Sequence, residues 1–246
     1  MVAESNPHVI RLPTSGVISV LTVPSYSTIG IPLIPQTMRP ADAKTTCATV
    51  LCADLHGYDT LAEQLPPSQV ASMLGAYFAI LIDTVLEYGG TIFHLAEADM
   101  MAGFGVGDTR HTQIHEALTA ARKIQQRFAP IRSSWKKEHA LSAGVGLGIH
   151  RGEVAVGTFG PPEHAALTLV GDTAHVAAQL CKRARTGEVL LSAAVHLPHL
   201  CSLRAIGAVE SMALVHLPPL KLRGRSAPID VWCAPAARRP RMGTRH

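Results

Sequence analysis

The stretch Gly89-Gly90-Thr91-Ile92-Phe93-His94-Leu95-Ala96-Glu97-Ala98-Asp99-Met100-Met101-Ala102-Gly103-Phe104-Gly105 constrains this chain most. Two short apolar runs flank a tight acidic turn, and glycines open and close the stretch. β-capable runs separated by a few turn residues read as a β-hairpin. Carboxylates at its tip could face a cation, or could be solvated turn residues that serve local hydrogen bonding. The hairpin follows a long helical pattern that Pro67-Ser68 start and Gly89-Gly90 stop. Val70, Met73, Leu74, Tyr77, Phe78, Leu81, Ile82 and Val85 fall at helical spacing and form its core stripe.

Upstream, Cys47 to Ala53 is an almost continuous apolar run of strand length, as for a strand buried on both faces. It ends in Asp54-Leu55-His56-Gly57, and Asp59 to Gln64 reads as a short helix. Downstream, His111 to Phe128 is amphipathic, and a polar connector, Arg132 to His139, follows. Leu141 to His150 reads as a strand with alternating glycines, turned at Arg151-Gly152 into Glu153 to Gly157. Ala166 to Val170 is another strand. A helix begins with Asp172 or Thr173 near its N-cap and runs to Ala184, and Gly187 stops it. Strand-like pieces follow at Val189 to Leu191, Ser202 to Ile206 and Ile229 to Trp232. That order predicts an α+β sandwich around a mixed sheet.

A length of 246 residues, 47% hydrophobic and 16% charged, places the chain among globular proteins with a sizeable core. The net charge of +4 owes much to the tail Arg238 to His246. Such a tail reads as a solvated terminus, and with no basic patch interleaved with aromatics elsewhere, nucleic acid is not an expected partner. Cys47, Cys52, Cys181, Cys201 and Cys233 are odd in number and lack metal-finger spacing, as in a reduced, cytoplasmic protein. No signal peptide is evident. The longest apolar segment, Val70 to Ile82, falls short of the ~20 residues of a membrane span. Residues 1–44 are rich in proline and read as an extension or linker, 45–234 as the folded domain and 235–246 as a basic tail.

Five segments in order resemble the class III adenylate/guanylate (nucleotidyl) cyclase catalytic domain. Ala48 to Tyr58 resembles its first motif and Gly89 to Gly105 its catalytic hairpin. Gly146 to Gly157 resembles its dimerisation arm, Leu169 to Leu180 the motif carrying its transition-state residues, and Leu220 to Val231 its closing strand pair. The resemblance implies a ferredoxin-like, palm-type βαββαβ sandwich. It also implies a head-to-tail homodimer, or a heterodimer with another cyclase-type chain. ATP or GTP would be cyclised there with two Mg²⁺ or Mn²⁺ ions on paired aspartates.

Carried over by position, Asp54 fits the first metal aspartate. The second should lie three residues before Met101, where Ala98 stands. Glu97 and Asp99 flank it, and strand alternation points a neighbouring residue to the other face, leaving Asp99 a weak substitute. His94 and Thr168 occupy the base-reading positions. His175 and Gln179 occupy the Asn and Arg positions that orient ribose and stabilise the transferring phosphate, four apart on one helix face. Gln179 cannot supply a guanidinium fork. The expected protein is a degenerate member: a pseudo-cyclase that binds nucleotide or regulates a partner in cyclic-nucleotide signalling. The alternative is a divergent active adenylate cyclase that converts ATP to cyclic AMP and diphosphate. Mg²⁺ or Mn²⁺ would be needed only if activity remains.

Overall fold

A computed structural model of the chain describes residues 43–107, 113–159, 166–198 and 214–235. The expected strand Ser202 to Ile206, nearly all of the extension and all but the first residue of the basic tail lie outside the described residues. The elements run β1 (Lys44–His56), α1 (Tyr58–Gln64), α2 (Pro67–Glu87), β2 (Thr91–Ala96), β3 (Asp99–Phe104) and α3 (Ile114–His139). Then come β4 (Gly144–Phe159), β5 (Ala166–Val170), α4 (Asp172–Arg183), β6 (Val189–Ser192), β7 (Val215–Leu220) and β8 (Ile229–Ala234).

These strands form one eight-stranded sheet in the order β2-β3-β1-β4-β6-β8-β7, with β5 paired to β4 off this path. The segment β2-β3-β1-β4, with α2 and α3 as its crossovers, is the expected βαββαβ unit. Beyond it α4 crosses over to β6, which runs parallel to β4.

Alternation along the strands sorts the side chains into two layers. Leu51, Ala53 and Leu55 of β1, Met100, Ala102 and Phe104 of β3, and Leu147 and Ile149 of β4 join the large core under α2 and α3. Val50 and Cys52 face the other way and pack with Ala174, Ala177 and Cys181 of α4. The alternating glycines of β4 belong to this second layer. A Cβ on Gly148 would lie 2.2 Å from the Cys181 amide N and 2.4 Å from the Ala177 carbonyl O. Only a glycine therefore lets α4 lie this close to the sheet.

Two sequence expectations are corrected. The connector Arg132 to His139 is helical: α3 continues through Pro130 to His139. Phe128 and Trp135 supply the reason. Both are buried, with rings 5.4 Å apart and edge to face, and they hold the distal turns on the core despite their polar neighbours. Arg151-Gly152 is not a turn. β4 is one strand in which these residues pair with Thr49 and Ala48 of β1.

α2, against the expectation from Val70 to Ile82, is long and apolar enough to cross a bilayer by length and composition. In this fold Tyr77, Leu81 and Val85 on its inward stripe are fully buried in the core.

Candidate functional site

The site is built where β1 ends beside the β2–β3 hairpin. Asp54 stands opposite Asp99 in the antiparallel β1–β3 ladder, two residues after Cys52 pairs Met101. Directly opposed residues have Cβ atoms about 5 Å apart on the same face. That face is the α4 side, because Cys52 lies in the layer under α4. A proton on either carboxyl could be shared with the other. Burial first, then hydrogen bonding to Asp99 and its charge, push the Asp54 carboxyl up to about 6, with Lys182 opposing.

The expected register at the hairpin tip is thereby revised. Ala98 does not face Asp54. It is 5% exposed, packs in the α2–α3 core and also lines the larger of the two cavities at this pair. Its carbonyl accepts hydrogen bonds from the buried Tyr77 hydroxyl at 3.2 Å and the Leu55 amide at 3.1 Å. Glu97 takes a left-handed φ of 53°, which closes the turn and leaves Ala96 paired with Asp99. An irregularity between Ile92 and His94 sets β2 on the new register. The offset from Met101 points to Ala98, and the residue opposite Asp54 in the ladder is Asp99.

Two cavities meet at this pair. The smaller, about 70 Å³, is lined by Asp54, Asp99, His94, Cys52, Cys181 and Lys182 among others. The larger, about 400 Å³, opens over Asp54, Asp99, Asp59, Glu97, His56 and Lys182. His56 Nε2 lies 3.7 Å from Asp54, its Nδ1 lies 3.2 Å from the Thr186 hydroxyl, and burial lowers its pKa. The Cys52 thiol is pushed up to about 12 by burial and by Asp99, so it is no thiolate ligand.

The donor set fits a hard divalent cation. Two carboxylates in register offer hard oxygens, which suit Mg²⁺ and Mn²⁺ over softer metals. Among the described residues no three His, Cys, Asp or Glu side chains gather in a metal-holding cluster. The remaining ligands would be water and phosphate oxygens, the usual arrangement for Mg²⁺ beside a nucleotide.

Of the other expected site residues, His94 lines the smaller cavity. Thr168 lies in β5 opposite Gly157 and its hydroxyl donates to the Ala166 carbonyl at 3.3 Å. Thr168, His175 and Gln179 line neither cavity. His175 is exposed on α4. The Gln179 amide donates to the Arg223 carbonyl at 2.9 Å and accepts from the Arg223 amide at 2.6 Å. The resemblance assigns the last two positions to a partner's site, so a single chain is not expected to bring them to Asp54. Sequence reasoning missed Lys182 and His56. Lys182 lies four residues after Ala178, which shares the smaller cavity, and no local sequence signal marked either.

Residues 41–229 match the family model for the adenylate and guanylate cyclase catalytic domain. The chain belongs to this family. An adenylate cyclase of Anabaena cylindrica is 31% identical over 139 residues, which cover 56% of this chain and 27% of that protein. An uncharacterized protein of Mycobacterium tuberculosis is 28% identical over 146 residues, covering 58% and 26%. The chain thus spans about a quarter of the length of these curated relatives. In fold it is similar to the adenylyl cyclase CyaB from P. aeruginosa, with a TM-score of 0.70 and 22% identity over 80% of this chain and 97% of that one. The guanylyl cyclase Cya2 gives 0.66 and 21%, covering 81% and 97%.

Proposed function

We propose that this class III cyclase domain keeps the metal-binding half of a composite nucleotide site and has lost the transition-state half. It would then work as one member of a dimer and turn over little nucleotide by itself. The observation that carries this reading is Asp99 opposite Asp54 on one face of the sheet. Bound there, Mg²⁺ or Mn²⁺ would supply charge neutralisation for a triphosphate and activation of a hydroxyl.

The other half is weakened chemically. A neutral Gln179 stands where the resemblance asks for arginine, and it is engaged with the Arg223 backbone. Loss of one such charge-stabilising donor costs about 3–4 kcal/mol, hundreds-fold in rate. A homodimer would carry that loss in both sites. A heterodimer with a chain that supplies Asn and Arg would carry it in only one.

The test is cyclic-nucleotide production from MnATP and MnGTP. The chain alone is expected to give no product above a control. Mixed with a cyclase chain that retains Asn and Arg but lacks its own aspartates, it should give product that vanishes with Asp54→Ala. No rescue in a mixture shown to heterodimerise would sink the half-site reading.

The second reading is a divergent active adenylate cyclase. It is favoured by the same aspartate pair, by Thr168 at a base-reading position and by the name of the Anabaena relative. Robust cyclic AMP formation by the chain alone, abolished by Asp54→Ala, would decide for it.

A further inference from the structure

We propose that Lys182 is the cis phosphate-holding cation of this site, its ammonium taking the polyphosphate of a nucleotide whose divalent ions sit on Asp54 and Asp99. The inference rests on the half-site reading above and names the residue that completes it within one chain.

Position is the first support. Lys182 lies in the last turn of α4 and helps line both cavities, as only Asp54 and Asp99 also do. Its side chain is exposed, and a flexible four-carbon stem lets the ammonium follow a ligand.

Charge is the second. The larger cavity is lined by four carboxylates, Asp54, Asp59, Glu97 and Asp99, and Lys182 is the only lysine or arginine lining it among the described residues. A bare polyphosphate would be repelled from such a wall, whereas a divalent ion would be drawn in. A metal–polyphosphate carries both signs. Its cations meet the aspartates, and its surplus negative charge needs one fixed cation close by.

Availability is the third. Of the described arginines, Arg225 pairs with Asp172 at 2.6 Å and Arg127 with Glu87 at 2.6 Å, both away from the aspartate pair. Lys182 forms no ion pair within 4 Å among the described residues, although its charge is felt at Asp54. A lysine whose task was to neutralise the aspartates would be expected in contact with one of them.

The test titrates the full chain with Mn²⁺ alone and with preformed Mn²⁺–inorganic tripolyphosphate. The proteins are the wild type, Lys182→Ala, Lys182→Arg and the neighbouring Arg183→Ala. Lys182→Ala is expected to weaken tripolyphosphate binding about tenfold or more, the usual scale for a charge-assisted contact. Lys182→Arg should retain most of it and Arg183→Ala nearly all. Mn²⁺ alone should bind all four proteins within a few-fold.

Unchanged tripolyphosphate binding in Lys182→Ala overturns the proposal, all the more if that variant binds Mn²⁺ more tightly, since lysine would then be a competitor of the metal. An equal loss in Arg183→Ala overturns it in favour of a diffuse field. Mn²⁺ binding to wild type without tripolyphosphate binding also overturns it, while leaving the aspartate pair intact. Failure of the wild type to take up Mn²⁺ overturns the half-site reading itself, and this inference with it.

Discussion

Two sides of α4 differ in what their residues are held to. On the inner side Ala174, Ala177 and Cys181 lie on the sheet, and Gly148 admits no side chain between them. Ala178 borders the aspartate pair beside them, whereas Lys182, exposed and seven residues after His175, reaches the pair from the outer side. On the outer side His175 is exposed and Gln179 grips Arg223 in the loop between β7 and β8. The inner side is fixed by close packing and ladder register, so its functional geometry survives unless the sheet itself changes. Among the described residues the outer side packs on no strand of the sheet, so its residues can be exchanged at little structural cost. The contrast fits the proposed reading, in which the carboxylates stay in place while the positions that the resemblance assigns to Asn and Arg hold His175 and Gln179.

The sharpest way to break that contrast is at the hairpin tip. If Ala98 were the metal-facing position, Ala98→Asp would tighten Mn²⁺ binding. With Ala98 packed in the core at the rim of the acidic cavity, the substitution crowds a poorly solvated carboxylate against Asp54 and Asp99 and is expected to destabilise the metal-free fold by about 3 kcal/mol. For a domain of this size that corresponds to roughly 6–12 °C in Tm, readable by calorimetry. A stable variant with higher metal affinity would return the site to Ala98.

Asp99→Ala is the complementary test. It removes a proposed ligand from a solvent-facing cavity and relieves repulsion on Asp54. Mn²⁺ affinity should fall on the order of 100-fold, the upper end of what a lost supporting ligand costs. Apo stability should hold or rise slightly. Paramagnetic relaxation of water by Mn²⁺ would read the first, and urea unfolding the second. Retained affinity would mean that Asp99 is not a ligand.

The pair also sets opposite pH trends for the apo and metal-bound protein. The folded Asp54 carboxyl titrates near 6, above its unfolded value, so the folded state holds the extra proton between about pH 4 and 6. Apo stability should therefore rise as pH falls through 6, because protonation relieves the repulsion. Metal needs the carboxylate, so Mn²⁺ affinity should fall by up to about tenfold per unit below pH 6. Parallel trends, or none, would show that the two carboxyls are not coupled as their geometry implies.

How much of this was legible in the sequence follows from the range of each constraint. Local periodicity located α2, the hairpin and α4, and five ordered motifs carried the βαββαβ unit. The distal half of α3 was hidden because its stripe at Phe128, Ile131 and Trp135 sits among charged residues. Arg151-Gly152 looked like a turn because the reason for the glycine is remote: a Cβ there would lie 2.6 Å from the Thr173 hydroxyl of α4. Asp54 was legible from its motif, while Asp99, its proposed companion, was read only as a weak substitute for Ala98. A motif offset counts residues along one strand, whereas the site is defined by pairing between strands, and a tightened turn moves one against the other. Lys182 was illegible for a related reason, since nothing local to it announces that its helix overhangs β1.

The smallest expected effect is on the outer side and concerns what Gln179 now does. Its amide satisfies both backbone groups of Arg223, as a short piece of ladder would. Two such bonds, partly open to water, should together be worth about 1 kcal/mol. Gln179→Ala is therefore expected to lower Tm by only about 2–4 °C, while hydrogen exchange quickens at the Arg223 amide and leaves β1 unaffected. Gln179→Glu keeps an acceptor for the Arg223 amide and loses the donor to its carbonyl, so it should retain part of the protection. Unchanged exchange at Arg223 in both variants would free Gln179 from a structural role and reopen its availability to a partner's site. Faster exchange confined to that loop would mean that a Gln179→Arg restoration must first release a contact on which the β7–β8 loop relies.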